Sequence, residues 1–194
     1  MLAKPLFLIA FPLIAAVSAL PASAGPIADK AAEIEGLIAA QDSAAAGAAA
    51  AELFSQVWET APEISFRQVV LVAEPASGFG VYNPRADAIY KVGEPVIIYA
   101  EPYGYGFGAP AEGLYSIGFI VDLKVTSASG DLLGELPNLT ELALQSRAQN
   151  HEFQANLTYT LDGIVPGNYI LQTTLRDQNS DRTGSFETAI EIVE

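Results

Sequence analysis

The chain has 194 residues, with 23 Asp and Glu against 9 Lys and Arg, and a formal charge of −14. A surface this acidic repels nucleic acid and anionic lipid headgroups, which argues against both as partners. With 0 Cys and 1 His, disulfides, thiolate metal sites and cysteine nucleophiles are excluded, and any imidazole chemistry must pass through one residue.

The first residues carry a short basic head with Lys4, an apolar run from Pro5 to Leu20, and the small-residue pattern Ala22-Ser23-Ala24. This predicts a cleavable signal peptide over residues 1–24, cut after Ala24. A membrane anchor fits less well, because Pro12 interrupts the run and small residues follow it where a charged stop would stand. No cysteine follows to carry a lipid. No later stretch has the length and apolarity of a bilayer span, so the cleaved chain is expected to be soluble, in the periplasm or outside the cell.

Residues 25–61 are rich in Ala, Glu and Gln, nearly free of β-branched residues and bounded by Pro26 and Pro62, which predicts a helical segment. Ile34, Leu37 and Ile38, then Leu53, Phe54, Val57 and Trp58, recur at three- and four-residue steps and form two apolar stripes. Gly47, inside an alanine stretch, marks either a break between two helices or a weak middle in one. Two roles suit the segment: a spacer or self-association helix, or packing onto the neighbouring domain with Trp58 as the anchor.

From Glu63 the pattern changes to short runs rich in Val, Ile, Thr, Tyr and Leu, divided by Gly, Pro, Asn and Asp clusters. Strands are predicted near 64–73, 88–92, 95–101, 115–127, 140–146, 151–161, 168–177 and 184–193. Phe153, Ala155, Leu157, Tyr159 and Leu161 alternate with polar neighbours, and so do Phe186, Thr188, Ile190 and Ile192. Alternation without intervening helices predicts an antiparallel β-sandwich over 63–194 in place of a parallel α/β sheet. In the segment from Leu161 through Pro166-Gly167-Asn168, a turn leads to Tyr169 at the start of a strand, the arrangement in which a phenol hydroxyl bonds back to nearby backbone.

On that turn and tyrosine, residues 63–194 resemble immunoglobulin-like and fibronectin type III-like modules of cell-surface proteins, without their disulfide. The resemblance implies an immunoglobulin-like sandwich in which Tyr169 is structural. A second set of motifs, including Gly78-Phe79-Gly80, Gly93-Glu94-Pro95, Tyr99-Ala100-Glu101-Pro102, Pro166-Gly167-Asn168-Tyr169 and Leu175-Arg176-Asp177-Gln178-Asn179-Ser180, is similar to a family of uncharacterised exported bacterial proteins. That likeness implies a common domain and no reaction.

Candidate functional residues fall mostly in loops. Tyr103, Tyr105 and Phe107 are separated by single glycines at 104, 106 and 108, a segment able to present ring faces to a sugar, an aliphatic group or a cation, or else to fold its rings over an open end of the core. Phe79, Tyr82, Asn83 and Arg85 form a second loop of the same character, and the two would make a recognition surface if they met. Asp177, Asn179 and Asp181 alternate like the first ligands of a calcium loop, yet Arg182 and Thr188 stand where an EF-hand needs Gly and Glu, and a polar hairpin loop is the plainer reading. His151, beside Arg147, Asn150 and Glu152, has no G-x-S-x-G nucleophile to serve and too few companions for catalytic zinc, so a surface or capping role is expected. Arg176, at a strand end, is expected to pair with a carboxylate, and the same reading extends to Arg147. Asn138 and Asn156 head short glycosylation patterns that arise often by chance.

Together these features predict a non-enzymatic, cofactor-free binding module that contacts an envelope protein or glycan through Phe79, Tyr82, Arg85, Tyr103, Tyr105 and Phe107. The alternative is a structural or assembly component of the envelope whose helices set its oligomeric state. A hydrolase using paired carboxylates or His151 is the third reading, and no spacing among the acidic residues selects a pair for it.

Overall fold

The computed structural model describes residues 25–194, so the predicted signal peptide lies outside the described residues. The chain divides into two units, one ending at Ala50 and one spanning Ala51–Glu194. It is mainly β, with an N-terminal helical segment.

Helix α1 (Pro26–Ala39) opens on a proline, whose missing N–H is no loss in a first turn. Helix α2 spans Ser43–Glu59. The break between them falls at Gln41, in the left-handed region with φ 59°, and at Asp42, whose carboxylate accepts the Ala45 N–H at 3.1 Å as an N-cap. Gly47, predicted as the weak point, lies inside α2, where the flanking alanines supply enough helix propensity to carry the chain through.

Nine strands follow: β1 (Ser65–Leu71), β2 (Ile89–Lys91), β3 (Val96–Tyr103), β4 (Gly108–Ala111), β5 (Leu114–Ser127), β6 (Leu132–Ser146), β7 (Ala155–Tyr159), β8 (Gly167–Asp177) and β9 (Thr183–Val193). Strands β1, β3 and β7 form one sheet in that order. In the larger sheet β2, β9, β8 and β5 are successive neighbours, while β5 pairs β4 along its first residues and β6 along most of its length. All pairs are antiparallel except β2 with β9, which are parallel, a correction to the all-antiparallel expectation. One of the two sheets curls into a half-barrel.

One core serves both sheets. Val96, Ile98 and Ala100 of β3 and Ala155, Leu157 and Tyr159 of β7 are buried in the same cluster as Phe119, Val121 and Leu123 of β5 and Leu171 and Leu175 of β8. The predicted alternation of β7 is thus the side-chain pattern of a strand with one face in the core. Tyr159 and Thr173 meet in this interior at 2.9 Å, each satisfying the other's hydroxyl, and burial pushes the Tyr159 phenol up to about 12. Tyr169 donates to the Val165 carbonyl at 2.7 Å and closes the turn into β8, as expected of it.

The two sides of the sheet pair are treated differently. Beside β1, the Ile64 N–H donates to the Thr183 carbonyl at 3.0 Å, and a Cβ at Gly184 would stand 2.2 Å from the Ile64 oxygen. Glycine is what allows that approach. On the opposite side β6 and β7 are each paired on one flank only, and no ladder joins them among the described residues. Gly184→Ala is expected to cost about 1–3 kcal/mol in a denaturant titration by forcing these backbones apart, and a change within experimental error would contradict the tight stitch.

Candidate functional site

The glycine-spaced aromatic segment is an internal zipper. Its aromatic side chains turn toward Trp58, which is fully buried and lies 4.3 Å from the Tyr103 ring centroid and 4.9 Å from that of Tyr105. Trp58 also donates its indole N–H to the Tyr105 carbonyl at 2.7 Å, so the one tryptophan secures both ring and backbone of the segment. The glycines turn the other way, where there is no room for side chains. A Cβ at Gly104 would sit 2.6 Å from that of Ala61, and one at Gly108 would sit 2.4 Å from both the Ser116 hydroxyl and the Asn179 amide oxygen.

This geometry corrects one predicted ligand residue. Tyr105 is fully buried, its hydroxyl donates to the Asn150 carbonyl at 2.8 Å, and its ring has no face left for a ligand. Tyr103 and Phe107 are half-buried: Tyr103 is covered by the Arg67 guanidinium at 4.8 Å, and Phe107 meets His151 at 5.2 Å. In the other loop Tyr82 lies 4.3 Å from Tyr99, whose hydroxyl donates to Glu101 and accepts the Gly80 N–H. Burial, reinforced by the bond to Glu101, pushes Tyr99 up to about 12. Arg85 bonds Glu94 at 2.8 Å and covers the Tyr90 ring at 4.1 Å. The loops do not converge: no ring contact joins Phe79 or Tyr82 to Tyr103, Tyr105 or Phe107 among the described residues.

The remaining polar candidates also have structural partners. Asp177 accepts from the Gly106 N–H at 2.6 Å, the Asn179 N–H at 2.9 Å and the Ser180 hydroxyl, while the Asn179 amide donates to the Ser116 carbonyl. Asp177 and Asn179, two of the three residues that suggested calcium, therefore fasten the hairpin between β8 and β9, and Asp177 ties it to the aromatic segment at Gly106. Arg182 completes the clasp by donating to the Gly104 and Glu59 carbonyls, the latter at the end of α2. Arg176 finds its carboxylate in Asp122 at 2.8 Å, and that guanidinium holds the Asp122 carboxyl below the usual range. Of the two glycosylation patterns, Asn138 bonds Arg176 and Asn156 bonds the Ala76 backbone in both directions.

The side between β6 and β7, where no ladder joins the described strands, is open. Two grooves lie along it. One, of about 500 Å³, is lined by Val125, Leu133, Leu136, Leu161, Ile164, Val165 and Tyr169. The other, of about 550 Å³, is lined by Glu141–Leu144 of β6, by Glu152–Gln154 and Asn156, and by Phe79. Along β6 the lining advances from 133 to 144 while on the facing chain it retreats from 165 to 152, so the grooves are two stretches of one seam. Exposed apolar side chains line the first of them: Leu133 is 56%, Leu136 43% and Val165 65% exposed. Of the predicted site residues only Phe79 reaches this seam. The leucines were passed over because Gly134, Pro137 and Asn138 among them read as loop.

No family model matches the chain, and a search of curated proteins found no similar sequence. The seam accordingly stands on its own geometry.

His151 packs edge-on against Phe54 at 4.9 Å, Trp58 at 4.6 Å and Phe107, and its buried Nε2 has no hydrogen-bond partner among the described residues. This is a half-buried packing role, where a surface or capping one was expected. Burial holds the imidazole below its ordinary 6.5, with Glu59 opposing and Arg67 adding to the shift. Below that value the unfolded chain binds the proton more readily, so stability is full above it and falls as pH drops through it. Unfolding titrations between pH 6.5 and the carboxylate range should show this loss in the native chain and not in His151→Phe, while equal slopes would contradict it.

Proposed function

We propose that this chain is an exported, non-enzymatic binding module built on an immunoglobulin-like sandwich, and that it recognises a protein partner along the seam between β6 and β7. The observation that carries the reading is the set of exposed Leu133, Leu136 and Val165 in a groove that continues into a second one, on the side of the sheet pair where no ladder joins the described strands. Contiguous exposed apolar surface of this kind marks interaction sites.

The immunoglobulin-like assignment is supported by the layering of β2-β9-β8-β5-β6 over β1-β3-β7 and by the Tyr169 bond to Val165. Export is supported by the leader pattern of residues 1–24. The non-enzymatic reading draws on the ionisable groups: Asp122, Glu94, Tyr99 and Tyr159 owe their altered proton affinities to structural partners or burial. Recognition through aromatic loops is the weaker version of the proposal, since Tyr82, Arg85, Tyr103, Tyr105 and Phe107 spend their faces or charges on neighbours within the chain.

A photo-reactive amino acid at Leu136 or Ala143, in the envelope of the producing cell, should yield one and the same protein adduct. The exposed control position Lys91 should yield none. Adducts from Tyr82 and Phe107 but not from Leu136 or Ala143 would move recognition back to the loops.

A further inference from the structure

Resting on the seam as the binding surface, we infer that its occupant is an extended segment of a partner protein, apolar at alternate positions and basic between them, which adds as a strand to the free edge of β6 at Thr140–Ser146.

The edge itself is the first ground. β6 is 15 residues long and pairs only with β5, so its other flank presents backbone N–H and C=O groups with no ladder partner among the described residues. Natural edge strands of such length are usually blunted by proline, bulges or lysine. β6 is blunted at its middle. Pro137 has no N–H to offer, and Asn138, with φ 55°, sits in a bulge whose N–H is held by Asp122 at 2.7 Å. Beyond the bulge that protection ends. From Thr140 to Ser146 the register with β5 is unbroken, from Thr140↔Val121 to Ser146↔Tyr115, and the stretch contains neither proline nor lysine. Its outward groups are therefore spaced as a strand partner requires, and main-chain pairing gives such an addition its affinity.

Side chains and charge narrow the partner. Half-buried Leu142 and Leu144 alternate with exposed Glu141, Ala143 and Gln145, so an added strand meets an apolar row on the groove side and a polar row on the other. Glu141 and Glu152 are exposed on the rim of the groove, Asp162 lines the neighbouring one, neither groove is lined by a lysine, and Lys124 on β5 is taken by Glu135 at 3.1 Å. Arg147, one residue past β6, is the basic side chain at that end. An acidic rim favours basic residues in the incoming strand. A second copy of this chain would bring −14 against −14 and is disfavoured by like charge.

The test uses the chain from Gly25 onward and three labelled peptides matched in length to Thr140–Ser146. One alternates Lys and Val, one alternates Glu and Val, and the third is the Lys–Val peptide with alternate amides N-methylated so that it cannot pair as a strand. Fluorescence anisotropy should show the Lys–Val peptide binding and both others weaker by about tenfold or more. Amide NMR shifts should centre on Thr140–Ser146. Reversing both rim charges, with Glu141→Lys and Glu152→Lys, should weaken Lys–Val binding about fivefold or more, since both sites are solvent-exposed and fold is not at stake. If the N-methylated peptide binds as well as its parent, with shifts at Leu133, Leu136 and Val165, strand addition is overturned and the seam stands. Shifts that lie off the seam would sink both. Absence of Lys–Val binding at millimolar peptide, or a peptide-independent dimer by light scattering with Thr140–Ser146 amides protected, overturns the basic-strand occupant.

Discussion

A sheet that does not close on itself ends in strands with one flank of backbone groups unpaired, and the way this chain disposes of such edges organises the molecule. β1 leans on β9 through the Ile64–Thr183 bond, at a spacing Gly184 alone permits. β2 is short and lies at the rim of the larger sheet. β6 and β7 receive no such stitch. The sheet pair thus has one stitched side, where β1 meets β9, and one side without a ladder, between β6 and β7, which carries the two grooves.

The aromatic segment explains how the rest can be held firmly enough to leave a side open. A cysteine-free domain must secure its loops by packing and hydrogen bonds. Here a residue alternation does so: Tyr103, Tyr105 and Phe107 close on Trp58, while Gly104, Gly106 and Gly108 let Ala61, Asp177 and Asn179 come close from behind. Asp177 and Arg182 then tie the β8–β9 hairpin and the end of α2 to the same segment. Each ring therefore contributes to stability through a specified neighbour, and the conspicuous aromatic motif belongs to the scaffold.

Most of the strand pattern was legible because one buried face imposes a two-residue period, as in Phe153 to Tyr159, and turn residues separate the runs. The helices were legible from composition, but their break was not: a capping Asp42 and a left-handed Gln41 decide it, and both are weaker signals than a glycine. The first half of β6 and all of β4 were missed for a shared reason. Gly134, Pro137 and Asn138, or Gly108 and Pro110, are turn residues in most settings, and pairing with β5 overrides them. Exposed leucines in what reads as a loop carry no period, so the seam had no signature until β6 was placed beside β7. The aromatic loop misled in the opposite sense, since glycine between aromatics is compatible with presentation and with close packing, and only the neighbours of those glycines distinguish the two.

The account depends most directly on the free flank of β6, and amide hydrogen exchange of the isolated chain measures it. Alternate amides of Thr140–Ser146, those directed away from β5, should exchange rapidly, while their neighbours in that stretch and the amides of central β8 are protected. Uniform protection across Thr140–Ser146, equal to that of β8, would mean the edge is already paired and would contradict the open seam.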